Sequence, residues 1–275
     1  VVVFPNAKIN LGLRISEKRS DGYHELETIF YPLPLYDALE IIRQPASDGL
    51  QFLSSGLTIA GDPSDNLCVK AYEMLKRDHP GLPGVTMHLQ KAIPSGAGLG
   101  GGSADASFAL RLLDQIGNLG LSVPQLLDYS LRLGSDCPFF IINKPAYATG
   151  RGELLETVPV DLSAYGFVLV NPGIHIPTGP AFSWLTPARA SESLKELIAL
   201  PVNEWRGRII NDFERPVADR YPVIRDIVDQ LYSAGAVYAS MSGSGSTVYG
   251  LFAVDAKPQL VFPGEFLVKE IGFSN

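Results

Sequence analysis

The sequence predicts an α+β protein built as two halves. Strand-like runs followed by helical runs occur twice along the 275 residues, the texture changes after Pro145, and no repeat at 20–50-residue spacing is present. That length suits one large domain or two smaller ones, each able to bury a core. The expected halves are 1–158 and 159–275, with the boundary inside 155–166.

The first third reads mostly as strands. Ile9, Leu11, Leu13 and Ile15 alternate with polar or small residues, the pattern of a half-buried strand. Further strand-like runs cover 27–35, 39–43 and 50–54. Asp62-Pro63-Ser64-Asp65 supplies a turn and an N-cap candidate, and Leu67, Ala71, Met74 and Leu75 mark an amphipathic helix over 66–77. A strand at 85–90 runs into a long glycine loop. The helix expected over 103–116 then gathers Ala106, Ala109, Leu110 and Leu113 on one face. A second helix, 123–133, ends at Gly134 as a C′ residue, and 137–142 reads as a short buried strand. Past Pro145, 167–171 is a strand and 172–187 a Pro-rich loop. Helices are expected over 191–200, 203–220 and 223–234, and strands at 237–241, 247–252 and 266–271.

Composition removes several function classes. With 46% hydrophobic and 19% charged residues the chain is no disordered polymer. Its apolar runs fall far short of the roughly 20 residues a bilayer span needs, and residues 1–4 before Pro5 carry no basic n-region of a signal peptide. The net charge of −7, from 22 Lys+Arg against 29 Asp+Glu, argues against a nucleic-acid partner. An anionic ligand must therefore be held by local geometry and not by the global field. Cys68 and Cys137 are too few for a disulfide framework, which points to a reducing cytoplasm.

The glycine loop is the strongest local signal. Gly96-Ala97-Gly98-Leu99-Gly100-Gly101 matches the dinucleotide fingerprint, yet five glycines in 96–102 exceed what one tight turn needs. The next acidic residue of interest, Asp114, lies inside the following helix, so the ribose partner is missing. Gly96 to Ser103 also approaches the Walker A spacing, but Gly102 stands at the lysine position. What survives is shared physics: glycines let backbone N–H groups approach an anion, and a helix aims its positive end at the same place.

Pro94-Ser95-Gly96-Ala97-Gly98-Leu99-Gly100-Gly101-Gly102-Ser103-Ala104 resembles the phosphate-binding motif of the GHMP kinase superfamily. Pro5-Asn6-Ala7-Lys8-Ile9-Asn10-Leu11 resembles its N-terminal motif, and Ser242-Gly243-Ser244-Gly245-Ser246-Thr247 its C-terminal glycine-rich motif. Asp21-Gly22-Tyr23-His24-Glu25-Leu26, Asp105, Gly134-Ser135-Asp136-Cys137-Pro138-Phe139-Phe140 and Asn211-Asp212-Phe213-Glu214 are similar to the branch acting on 4-diphosphocytidyl-2-C-methyl-D-erythritol. The resemblance runs from about residue 5 to 252. It implies a GHMP kinase-like fold, with an N-terminal half like ribosomal protein S5 domain 2, a ferredoxin-like C-terminal half, and an active site in the cleft between them. Two departures stand out. Gly101 and Gly102 replace serines that help hold magnesium in the superfamily, so no Mg²⁺ ligand carries over, and Ala104 replaces a serine common in this branch.

The resemblance implies roles residue by residue. Lys8 and Asp136 form the catalytic pair, Asp136 as general base, and the need to deprotonate an alcohol supports the same assignment. Loop 94–104 holds ATP, with Asn66 facing the adenine and Lys91 in the same set. Tyr23 stacks on a cytosine, His24 hydrogen-bonds it, Phe182 supplies the second aromatic, and Asn10, Gly243 and Ser244 complete the substrate site. The implied activity is an ATP-dependent kinase of the non-mevalonate isoprenoid pathway, with Mg²⁺ brought by the nucleotide. Its expected partner is a small molecule carrying a cytidine diphosphate, with no membrane and no nucleic acid, in a monomer or weak homodimer.

Other readings compete at each residue. Lys8 alone would be a surface lysine, Asp136 a turn or cap residue, Tyr23 and Phe182 packing aromatics, and Asn66 a helix cap. His79, His88 and His175 show no zinc spacing and read as structural. Cys137 adjoins Asp136, but no partner histidine is implied, and Cys68 reads as core. Asn211–Glu214 reads as a packing and hydrogen-bonding element. Competing functions are another GHMP kinase, of the homoserine or mevalonate type, a dinucleotide oxidoreductase, and a non-catalytic nucleotide-binding regulator.

Overall fold

Residues 1–44, 49–59, 61–188 and 190–274 are described by the computed structural model of the chain. In order, the first elements are β1 Val2–Val3, β2 Asn6–Lys18, β3 His24–Tyr36, β4 Ala38–Arg43 and β5 Leu50–Gly56. Then come α1 Leu67–Asp78, β6 Val85–Lys91, α2 Gly101–Gly117, α3 Val123–Leu133 and α4 Cys137–Ile142. The remainder holds β7 Ala146–Thr149, β8 Leu154–Thr157, β9 Tyr165–Asn171, α5 Thr178–Phe182, α6 Leu194–Leu197 and α7 Glu214–Arg220. It ends with α8 Val223–Ser233, β10 Tyr238–Met241, β11 Val248–Ala253 and β12 Leu267–Ile271. The mixture is α+β, as expected, and forms two compact units whose segments interleave. The first takes Val1–Lys8, Leu35–Ser95 and Gly100–Lys144; the second takes Ile9–Pro34, Gly96–Leu99 and Pro145–Asn275.

In the first unit a four-stranded sheet runs β1-β4-β6-β5. Only β5 and β6 pair in parallel, which requires a long crossover, and α1 lies within it. Alternate residues Leu39 and Ile41 of β4, and Val85, Met87 and Leu89 of β6, bury against Cys68, Ala71 and Leu75 of α1 and Ala109, Leu110 and Leu113 of α2. Asn66 starts α1 as its N-cap, its Oδ1 accepting the Cys68 N–H at 2.9 Å. Asp62 caps the short 3-10 turn Pro63–Asp65.

Three expectations change in this unit. Residues 137–142 are helix α4 and not a strand. Pro138 in the first turn favours a helix start, a signal that a short all-apolar run hides from periodicity. The helix expected from 103 begins at Gly101, so two loop glycines belong to its first turn. Gly134 follows α3 as expected, but with φ 173°, an extended conformation and not the left-handed one of a glycine C′.

The second unit holds two sheets, β2-β3-β7-β8 and an antiparallel β10-β11-β9-β12. Residues 6–15 of β2 are buried on both faces, against the half-buried expectation. The polar residues there are satisfied internally: Asn10 Nδ2 donates to Thr28 Oγ1 at 2.9 Å, and Arg14 ion-pairs with Glu27 while donating to the carbonyl of Arg208. The four-residue strands β7 and β8 are too short for a periodic signal. The long helices expected over 191–200 and 203–220 shrink to α6 and α7, with a 3-10 turn at Val202–Glu204. Residues 210–212 run beside β2 instead: Leu13 N–H donates to the Ile210 carbonyl at 3.0 Å, and Asp212 N–H donates to the Leu13 carbonyl at 2.8 Å. The loop expected over 172–187 contains α5. Phe213, Val217, Ile224, Ile227 and Leu231 form a core with Val168, Val170, Met241 and Val248.

Trp205 is 1% exposed, donates its indole N–H to the Leu200 carbonyl at 2.8 Å and packs edge-on against Tyr238. Truncating it empties an aromatic-sized volume that the surroundings refill only in part. Trp205→Ala is expected to lose about 3–5 kcal/mol of stability, read by urea unfolding.

Candidate active site

Gly100 opens α2 as its N-cap with φ +68°. A Cβ there would stand 2.9 Å from Lys8 Cγ and 2.9 Å from Phe140 Cζ, so neither the conformation nor the space admits a side chain. Ala104 N–H is bonded to the Gly100 carbonyl at 2.9 Å. The N–H groups of Gly101, Gly102 and Ser103 therefore precede the first helical bond and carry the positive end of the dipole. Gly102 is exposed with open space around it, while Gly101 is buried against Ile93. Backbone donors in this arrangement can hold an anion.

The Lys8 side chain that passes Gly100 ends in an ammonium 3.3 Å from Asp136 Oδ2. The lysine side chain is 3% exposed and the carboxylate 36%, so a buried cation faces a carboxylate that solvent, or a substrate, can reach. Asp136 stands between α3 and α4, where the chain reverses after Gly134. Two residues expected in an ATP site also make structural contacts. Asn66 Oδ1 serves as a helix cap, and the Lys91 ammonium sits between Asp37 and Asp105.

In the second unit, the rest of the glycine loop packs on the residues after β10. Ser242 Oγ donates to the Gly98 carbonyl at 2.7 Å, and Thr247 N–H donates to Ala97 at 3.2 Å. A Cβ on Gly98 would lie 2.0 Å from the Ser242 carbonyl oxygen, and one on Gly243 would lie 3.3 Å from Gly98 Cα. Ala97 and Leu99 are buried, Pro94 half-buried and Ser95 exposed. Asn10 N–H donates to Ser242 Oγ at 3.2 Å, and Tyr249 donates its hydroxyl to the Asn10 carbonyl at 2.8 Å. Asn211 Nδ2 ties down the same turn through the carbonyls of Met241 and Gly243, at 2.7 and 2.8 Å, matching its expected hydrogen-bonding role. Ser244 Oγ pairs with Thr178 Oγ1 at 2.9 Å. Two neighbours of the loop were missed by sequence reasoning. Ser242 sits inside a recognised motif, a usable signal; His175, against Gly96, has no local signature.

Tyr23 is 53% exposed, and the Arg151 guanidinium lies 4.7 Å from its ring centre. His24 stacks on Phe182 with centroids 4.6 Å apart and planes within 13°, and Phe182 meets Phe213 edge-on. Burial, with a smaller contribution from Lys18, lowers the His24 pKa below the ordinary imidazole value. The structure thus brings His24 and Phe182 together. Asp21 braces the turn by accepting the Tyr23 N–H at 3.1 Å. Elsewhere His79 pairs with the Tyr129 hydroxyl and His88 with Ser55. Among the described residues, no three His, Cys, Asp or Glu converge as a metal site, and no helix is long and apolar enough to cross a membrane.

Residues 66–144 match the family model of the GHMP kinases N terminal domain, and 193–262 that of the GHMP kinases C terminal. The chain is 52% identical over 258 residues to a 4-diphosphocytidyl-2-C-methyl-D-erythritol kinase of Bacteroides fragilis, covering 94% of each. It is 49% identical over 269 residues to the protein of that name in Parabacteroides distasonis, covering 97% of this chain and 98% of the relative. A crystal structure of 4-(cytidine 5'-diphospho)-2C-methyl-D-erythritol kinase superposes with TM-score 0.75 at 32% identity, covering 91% of this chain and 90% of that one.

Burial pushes the Cys137 thiol up to about 12 and the Cys68 thiol well above its ordinary value. Neither is a thiolate nucleophile at neutral pH, despite the contact of Cys137 with the Asp136 segment. A maleimide or disulfide reagent at pH 8 is expected to label neither cysteine in the native protein within the time that labels both in denaturant, as read by intact mass.

Proposed function

The chain belongs to the GHMP kinase family, and from that premise we propose that it transfers the γ-phosphoryl group of ATP to the 2-hydroxyl of 4-diphosphocytidyl-2-C-methyl-D-erythritol, a step of isoprenoid precursor synthesis. The observation that carries the reading is the Lys8–Asp136 pair, 3.3 Å apart, with the lysine stem lying against Gly100 where α2 begins. Base and phosphate cradle are neighbours.

Asp136 accepts the substrate hydroxyl proton as the oxygen attacks the γ-phosphorus. The bond from that phosphorus to the β–γ bridging oxygen breaks, and ADP leaves. Lys8 holds the carboxylate in place and offsets negative charge on the transferring group. The N–H groups at the start of α2, with loop 94–104, hold the triphosphate, and Asn66 faces the adenine. Asn10 follows Lys8 by two residues in β2 and so shares its strand face. Its amide, bonded to Thr28, is held in one orientation to meet the substrate, which Gly243 and Ser244 also border. Tyr23 stacks on the cytosine; His24, its ring fixed against Phe182, reads the base edge by hydrogen bonds. Gly101 and Gly102 offer no side-chain oxygen to a cation, so magnesium arrives on the nucleotide and no residue is assigned to it. Two free buried thiols suit the reducing cytoplasm.

The braced turn Asp21–His24 favours this substrate over homoserine or mevalonate, which have no base to stack. The retained Lys8–Asp136 pair favours an enzyme over a nucleotide-binding regulator. Coupled ADP-release assays are expected to show turnover with the cytidylated substrate and none with mevalonate or homoserine; the reverse preference would reassign the branch. Asp136→Asn is expected to lose about 100-fold or more in turnover while both ligands still bind, the scale of general-base loss. Near-normal turnover in that folded variant removes Asp136 from the role.

A further inference from the structure

Lys91 ends β6, and its buried ammonium meets two buried carboxylates, Asp37 between β3 and β4 and Asp105 of α2, the latter at 2.7 Å. Asp37 reaches further along the chain. Its Oδ1 accepts the N–H groups of Ala92 at 2.6 Å and Ile93 at 2.9 Å, the first residues past the strand. Asp105 lies in the second turn of α2, and its buried Oδ1 has no hydrogen-bond partner among the described residues. The same ammonium abuts the helix start, since a Cβ on Gly101 would stand 3.2 Å from Lys91 Nζ. One cluster therefore grips the chain where it leaves β6 and again where it enters α2.

Stability alone does not call for such a cluster, because well-packed apolar residues of similar volume commonly stabilise as well as a buried ion triad or better. What ions add is fixed geometry. The intervening loop is rich in glycine, carries few side chains to hold its shape, and would lose much backbone entropy if it were ordered only when a ligand bound. Burial, reinforced by Asp37, raises the Asp105 carboxyl above the ordinary range against the pull of Lys91.

We propose that the Asp37–Lys91–Asp105 triad is the positioning device of the phosphate cradle, setting nucleotide affinity by holding both ends of the glycine loop at the spacing that a triphosphate requires. Lys91 then acts from beneath the loop, through Asp105, and is not itself a ligand of ATP. This rests on the reading that loop 94–104 binds ATP.

Asp105→Asn keeps the side-chain shape and removes its charge. Calorimetry on the full chain is expected to show ATP Kd raised about tenfold, the scale of losing a supporting shell. The Kd of the cytidylated substrate, and kcat at saturating ATP, should stay within about twofold. Lys91→Arg, which keeps the charge but changes its geometry, should show the same selective loss and serves if Asp105→Asn does not fold. Unchanged ATP affinity in a folded variant, or equal loss for both ligands, overturns the proposal. Gly100→Val separates the two readings. If it weakens ATP while the triad variants do not, the triad proposal alone fails; if it too leaves ATP affinity unchanged, the loop is not the nucleotide site and both fail.

Discussion

At Gly98 and Gly100 the backbone turns with φ of +79° and +68°, and a Cβ at either position would collide with the Ser242 carbonyl or with Lys8 and Phe140. Those two points of side-chain-free packing are the constraint on which the rest depends. At Gly100, the missing side chain lets the Lys8 stem pass close to the start of α2 and bring its ammonium to Asp136. At Gly98, it lets the loop lie on the turn after β10, which Asn10 and Asn211 hold in place. Glycine serves here for close approach as much as for flexibility.

The two lysine–aspartate arrangements divide the electrostatic work. Around Lys91, three ionic groups are buried together, and desolvation makes their geometry stiff and unforgiving. Around Lys8, one partner is buried and the other is reached by solvent. A chain of net charge −7 offers a substrate carrying several phosphates no general attraction. Local donors must supply it, and the N–H groups at the start of α2 lie beside the Lys8 stem.

Much of this was legible in sequence. The capped helix α1, the helix α3 and the strand leading into the glycine loop follow from period, cap residues and turn chemistry, all of which act within a few residues. The glycine motif raised the expectation of an anion cradle because few other demands place so many glycines ahead of a helix. Local signals failed where a distant partner decided the outcome. Residues 210–212 had helical periodicity nearby but were taken by hydrogen bonds to β2, and 137–142, apolar throughout, carried no period to choose helix over strand.

The chain alone thus determined the elements whose reasons are local, and it named the residues expected to carry chemistry. Tertiary structure decided which of them meet. Lys8 and Asp136 lie far apart in sequence, and nothing in their spacing says that a lysine stem will thread past Gly100 to end 3.3 Å from that carboxylate. Lys91 looked like a candidate to touch a nucleotide until packing closed it between Asp37 and Asp105, since a charge taken from water goes to the nearest opposite charge that burial brings to it.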